Sequence, residues 1–169
     1  MSSKQVGFGL ILLALMLVTG YYWLKPERSQ AAPAVNFKVV DGRTLNLKQL
    51  QGRPVLVVFW ATSCPSCIKE MPHLIELYQD LAPQGLEIIA VAMAYDPPDR
   101  VLEMRQRIHI PYPVALDVQG EVALAFGDVQ QTPTTFLINP KGRVLKQTIG
   151  KLDMAQLRAD LRSLLHKGG

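Results

Sequence analysis

A chain of 169 residues has room for one domain and little more, and its 49% hydrophobic content permits a real core. Its 18 basic and 14 acidic residues are scattered. They form no Lys/Arg stripe of the kind that nucleic-acid binding needs to displace counterions. Two cysteines three positions apart and three scattered histidines exclude a disulfide-stapled scaffold and supply a structural zinc site poorly.

After a short tail (1–5), residues 6–24 read VGFGLILLALMLVTGYYWL, an uncharged run bracketed by Lys4 and Lys25. About 20 apolar residues span a bilayer core. Tyr21, Tyr22 and Trp23 fall where an interfacial aromatic belt belongs. A cleaved signal peptide is the rival, with Ser29, Ala31 and Ala32 as small residues for a cleavage site, but its apolar core is ordinarily shorter. The length favours a retained transmembrane helix. Flanking charge is nearly balanced and does not orient it. Residues 25–34 (KPERSQAAPA) are a polar linker, and 35–169 form the folded domain.

Val35 to Val40 alternates as an edge strand does, Asp41-Gly42 is a turn, and Thr44 to Leu47 returns. Pro54 to Trp60 (PVLVVFW) is a continuous apolar run that suits a central strand covered on both faces. Helical spacing follows over Pro65 to Leu81, through Ile68, Met71, Leu74, Ile75 and Tyr78. Pro72 inside that helix should kink it. Leu86 to Ala92 is a second buried strand. Asp96-Pro97-Pro98 breaks the chain before a helix over Asp99 to Ile108. Gly120 to Phe126 is a short helix. Thr134 to Ile138 and Val144 to Ile149 flank Asn139-Pro140-Lys141-Gly142, a hairpin turn. Asp153 caps a closing amphipathic helix to Leu165. The strand–helix–strand portion predicts parallel strands with a right-handed crossover, and the terminal hairpin adds an antiparallel pair. The fold class is α/β, a central mixed sheet with helices on both faces.

The chemistry lies in FWATSCPSC, which joins a buried strand to a helix start. Cys64 falls at the helix N-terminus and Pro65 at the first helical position, where its missing N–H costs nothing. Free N–H groups and the positive dipole end favour a thiolate on Cys64. Cys67 lies one turn on, within disulfide reach. Cys64 would attack a substrate disulfide, and the more buried Cys67 would then release the reduced substrate. The rival readings of the pair are an inert staple, or a copper-binding module or metallochaperone with His73, which lies nearly opposite Cys67 on a regular helix. A peroxide-reducing relative would carry P-x-x-x-T/S-x-x-C; here Ala61 occupies the hydroxyl position. In Gln131-Thr132-Pro133-Thr134, composition alone predicts a trans Thr132–Pro133 bond, since about 5–6% of X-Pro bonds are cis.

FWATSCPSC, TPTTFLINPKGRV and the apolar N-terminal run together resemble the TlpA/ResA/DsbE-like family of membrane-anchored, thioredoxin-like thiol–disulfide oxidoreductases, over roughly residues 35–166. The resemblance implies a thioredoxin-like fold with a cis Pro133 opposite the cysteines. It implies that the Thr132 backbone pairs with a substrate strand, and that Trp60, Pro65 and Ser66 complete the substrate-binding set. It implies no cofactor and no metal. Protein disulfides would be the substrates, among them apocytochrome c during cytochrome c maturation, and a DsbD/CcdA-like membrane protein the electron donor. The catalytic domain would face the periplasm or cell exterior from a bacterial cytoplasmic membrane. Two departures stand out. Ser63 replaces the Trp usual before the first cysteine, and Val58 occupies the position of thioredoxin's buried Asp. A proton acceptor for Cys67 must then come from elsewhere, and Glu70, one turn after Cys67, resembles a glutamate of ResA-like members. Its alternative reading is a solvated helix residue.

Overall fold

The computed structural model describes residues 30–167 and the single residue Met16. The rest of the apolar run 6–24, expected to anchor the chain, lies outside the described residues. Among those described, no helix is long and apolar enough to cross a membrane.

Strands β1 (Asn36–Lys38) and β2 (Thr44–Asn46) form an antiparallel ribbon. The main sheet contains β3 (Val55–Trp60), β4 (Glu87–Ala92), β5 (Val114–Leu116), β6 (Thr134–Ile138) and β7 (Val144–Ile149). Its order is β5-β4-β3-β6-β7; β3, β4 and β5 run parallel, and β6 and β7 pair antiparallel. The helices are α1 (Pro65–Leu81), α2 (Pro98–Arg107), α3 (Glu121–Ala125) and α4 (Met154–Lys167). This is the mixed α/β arrangement expected from the apolar pattern.

β3 sits at the centre because every one of its six residues is apolar and can be buried on either face. Leu56, Val58 and Trp60 point into a core with Met71, Leu74 and Leu77 of α1, Val101 of α2, and Leu157 and Leu161 of α4. Val55, Val57 and Phe59 point the other way, toward Phe37, Leu47, Leu50, and Val122 and Ala123 of α3. Aromatic edges organise this second core. The Phe126 ring lies 5.4 Å from Phe59, 4.9 Å from Phe136 and 6.4 Å from Phe37.

Local chemistry sets the element ends. Asn139 Oδ1 accepts from Lys141 N and Arg143 N, both at 3.0 Å, closing the β6–β7 turn, with Gly142 at φ 72°. Asp153 Oδ1 accepts from Gln156 N at 3.0 Å and caps α4 as expected. α1 runs through Pro72 as one helix. The returning strand ends one residue early, because Asn46 accepts from Lys48 N and caps a 3-10 turn over Leu47–Leu50. β5 was not expected: three residues after Pro111-Tyr112-Pro113 are too few to show a period. Its register comes from partners distant in sequence, β4 on one side and a bridge from Val39 to Ala115 on the other.

Replacing Phe126 by Ala removes the ring on which three others pack. A loss of about 3–5 kcal/mol in unfolding free energy is expected, measured as a lowered urea midpoint with unchanged slope; F126L should lose clearly less.

Candidate active site

β3 ends at Trp60, and Ala61 to Ser63 carry the chain to Cys64, the N-cap of α1. Cys64 has φ −95° and ψ 103°, extended rather than helical, and Pro65 occupies the first turn where no N–H is needed. Cys67 N–H donates to Cys64 Sγ at 3.2 Å, and Ser66 Oγ lies 3.4 Å from the same sulfur. Cys64 therefore caps the helix with sulfur, where a thiolate meets unsatisfied backbone donors and the positive dipole end. The two cysteines are joined in a disulfide, with Cα atoms 5.3 Å apart. Both cysteines are buried, Cys64 (8% exposed) less completely than Cys67 (3%). Pro65 and Ser66 are exposed beside Cys64.

Glu70 is not solvated: it is 6% exposed, on the inner face of α1. Its Oε1 accepts from Leu152 N at 2.7 Å. Its Oε2 has no hydrogen-bond partner among the described residues. Burial pushes this carboxyl above the usual carboxylate value, against the opposing pull of the Leu152 amide, His73 and Lys151. Glu70 and Cys67 line a void of about 10 Å³ with Val58, Trp60, Tyr112 and Pro133. Val58 lines this void from β3 and Glu70 from α1, so the acidic and the apolar side chain share one space. Tyr112 is 1% exposed with its hydroxyl unpartnered among the described residues, and burial, then the Glu70 charge, pushes that hydroxyl up.

The Thr132–Pro133 peptide is cis, against the expectation from composition and in line with the resemblance. Pro133 is buried against the void that Cys67 lines, while Thr132 is half-buried at the edge. Pro133 O accepts from Gly150 N at 2.8 Å, and Thr134 Oγ1 donates to Gln131 O at 2.8 Å, holding the loop at the start of β6. Trp60, expected to contact substrate, is instead 1% exposed: its position on β3 points the ring into the core beneath the disulfide, away from a partner's surface.

Two further residues reach the site from the turn after β4. Asp96 is 5% exposed, and its carboxylate accepts from Thr62 N at 2.6 Å and Thr62 Oγ1 at 2.5 Å. Tyr95 Oη lies 3.4 Å from Thr132 Oγ1. In the sequence, Asp96-Pro97-Pro98 reads only as a chain break. An acidic residue just after a buried parallel strand was the available signal, since such strands end on the edge where sites form. Tyr112 carried no signal. Among the described residues no group of three or more His, Cys, Asp or Glu side chains could hold a metal.

Comparison with known proteins agrees with this geometry. Residues 29–147 match the AhpC/TSA family. The thiol–disulfide oxidoreductase ResA of Bacillus subtilis (strain 168) is 34% identical over 166 residues, covering 94% of this chain and 91% of the relative. ResA of Halalkalibacterium halodurans is 36% identical over 148 residues, 83% of each chain. The crystal structure of a thiol:disulfide interchange protein of the thioredoxin family from Chlorobium tepidum TLS superposes with a TM-score of 0.75 at 26% identity, covering 83% of this chain and 99% of that one. The chain belongs to the AhpC/TSA family, and within its thioredoxin-like members to the ResA-like thiol–disulfide oxidoreductases.

Proposed function

We propose that this enzyme reduces disulfides in partner proteins outside the cytoplasm, held to the membrane by residues 6–24. The observation that carries the redox cycle is the sulfur cap: Cys64 Sγ receives the Cys67 N–H at the mouth of a helix, with Cys67 already within bonding distance. A reduced Cys64 thiolate attacks one sulfur of a substrate disulfide. A mixed disulfide forms, and the other substrate sulfur leaves as a thiolate and takes up a proton. Glu70 accepts the Cys67 proton, and the Cys67 thiolate attacks Cys64 Sγ. The second substrate sulfur leaves, and the Cys64–Cys67 disulfide forms. Two electrons have passed to the substrate, and a dithiol donor returns them.

Thr132 would pair its backbone with an extended substrate segment, and Pro133, Pro65 and Ser66 would contact it; in support, the Thr132–Pro133 bond is cis and Pro65 and Ser66 are exposed beside Cys64. The extracytoplasmic setting rests on the apolar run with its aromatic end and on the ResA relatives. Within that reading an apocytochrome c carrying an oxidised cysteine pair is a fitting substrate, and a membrane dithiol protein of the DsbD/CcdA kind a fitting donor. Electron flow toward substrate is the direction the family supports.

Reduction of insulin disulfides by the pre-reduced protein should fall to background in Cys64→Ser; equal rates in both would end the redox reading. A reduction potential measured against glutathione should lie well below about −120 mV, the value of a strong oxidant, and a value near it would reverse the direction.

Glu70 generates a pH prediction. Its folded value lies above its unfolded one, so the native oxidised protein holds the extra proton between the two. Stability is therefore greatest below the ordinary carboxylate value and declines as pH rises through the raised one. Glu70→Gln keeps an acceptor for Leu152 N, and should flatten that decline in urea titrations across pH. The same change should slow substrate release from the mixed disulfide by about 10²-fold and remove the carboxyl limb of its pH profile. An unchanged profile would remove Glu70 from the mechanism.

A further inference from the structure

β3 and β4 are parallel, so the loops leaving their C-terminal ends emerge side by side on one edge of the sheet. The first loop carries Thr62, Ser63 and Cys64. The second is the turn Met93–Asp96, closed by Asp96 N donating to Met93 O at 2.9 Å. Consecutive residues of this second turn touch both loops that flank the disulfide. Both Asp96 carboxylate oxygens are spent on Thr62, two residues ahead of Cys64. Tyr95 reaches across to Thr132, the residue before the cis proline.

Tyr95 is 58% exposed, and is the exposed Phe, Tyr or Trp among the described residues; the other described rings are buried or half-buried. Ser63, Pro65 and Ser66 are exposed beside the cysteines, and Thr132, whose hydroxyl Tyr95 reaches, is half-buried. With its hydroxyl turned to Thr132, the apolar body of the ring stays in water on a backbone fixed by its buried neighbour. A rigid ring with one polar handle loses little entropy on contact and suits an interface anchor.

We propose that Tyr95 is a specificity-determining substrate contact. It packs against an apolar or aromatic side chain next to the target cysteine, on an extended segment lying across Thr132. This rests on the reading of the protein as a reductant of protein disulfides, and adds the class of segment it selects. Asp96 acts as a positioning residue, keeping the Tyr95 turn and the Cys64 loop at a fixed spacing.

The test uses the full chain, pre-reduced, and two disulfide-bonded peptides that differ only beside the attacked cysteine, Leu in one and Ser in the other. The wild type should favour the Leu peptide in kcat/KM by about tenfold, the scale of one apolar contact in a specificity pocket. Tyr95→Ala should bring the ratio close to one, chiefly through KM for the Leu peptide, and Tyr95→Phe should keep it. A wild type without preference overturns the proposal, as does a Y95A protein that keeps its preference. A change of equal size on both peptides also overturns it, since it would mark a purely structural role. If the wild type reduces neither peptide nor insulin, the underlying reductase reading fails and this proposal with it; reduction of insulin with no peptide preference sinks the proposal alone.

Discussion

The site depends on one capping bond. A helix start leaves backbone donors without partners, and ordinarily a hydroxyl or carboxylate oxygen answers them. Here the acceptor is the Cys64 sulfur, 3.2 Å from Cys67 N. That bond serves fold and chemistry together. It begins α1, offers a backbone donor to the sulfur once the disulfide is reduced, and sets Cys67 one turn away on the buried side. Everything that holds α1 in place also holds this geometry: the all-apolar β3 that delivers the chain, and the carboxylate of Asp96 that fixes Thr62.

The second constraint is burial without full compensation. Glu70 satisfies one carboxylate oxygen with a backbone amide; the other has no partner among the described residues, and the side chain lines a small void with Val58, Trp60, Met71, Leu74 and Tyr112. Such a group resists ionisation, because its charge has lost water and gained a single hydrogen bond. A proton store of this kind beneath a disulfide suits an exchange reaction in which a thiol must lose its proton before it attacks.

Legibility in the sequence followed the range of the determinant. The apolar run of β3, the helical spacing from Ile68 to Tyr78, the Asn139–Gly142 turn and the C-x-x-C at a strand–helix junction are local, and each was readable. β5 was not, because its three residues take their register from β4 and Val39. The cis Thr132–Pro133 bond was invisible to composition and accessible only through resemblance. Glu70 could be named from its spacing, but a helical wheel alone does not separate an inner from an outer position at the third residue past Cys67. Its surroundings come from other elements: β3, β4, Tyr112 and Pro133 line the same void, and the Leu152 amide, 82 positions on, holds its carboxylate. Trp60 misled for the opposite reason: its place next to the motif suggested a surface role, while the alternation of β3 turns it inward.

That long reach has its own consequence. Leu152 is both the donor to Glu70 and a member of the core just ahead of α4. The closing segment of the chain is therefore wired to the redox centre. A truncation that frees it would strip the Glu70 carboxylate of the Leu152 amide, so the segment that leads into the last helix helps to set the environment beneath the disulfide as well as the scaffold.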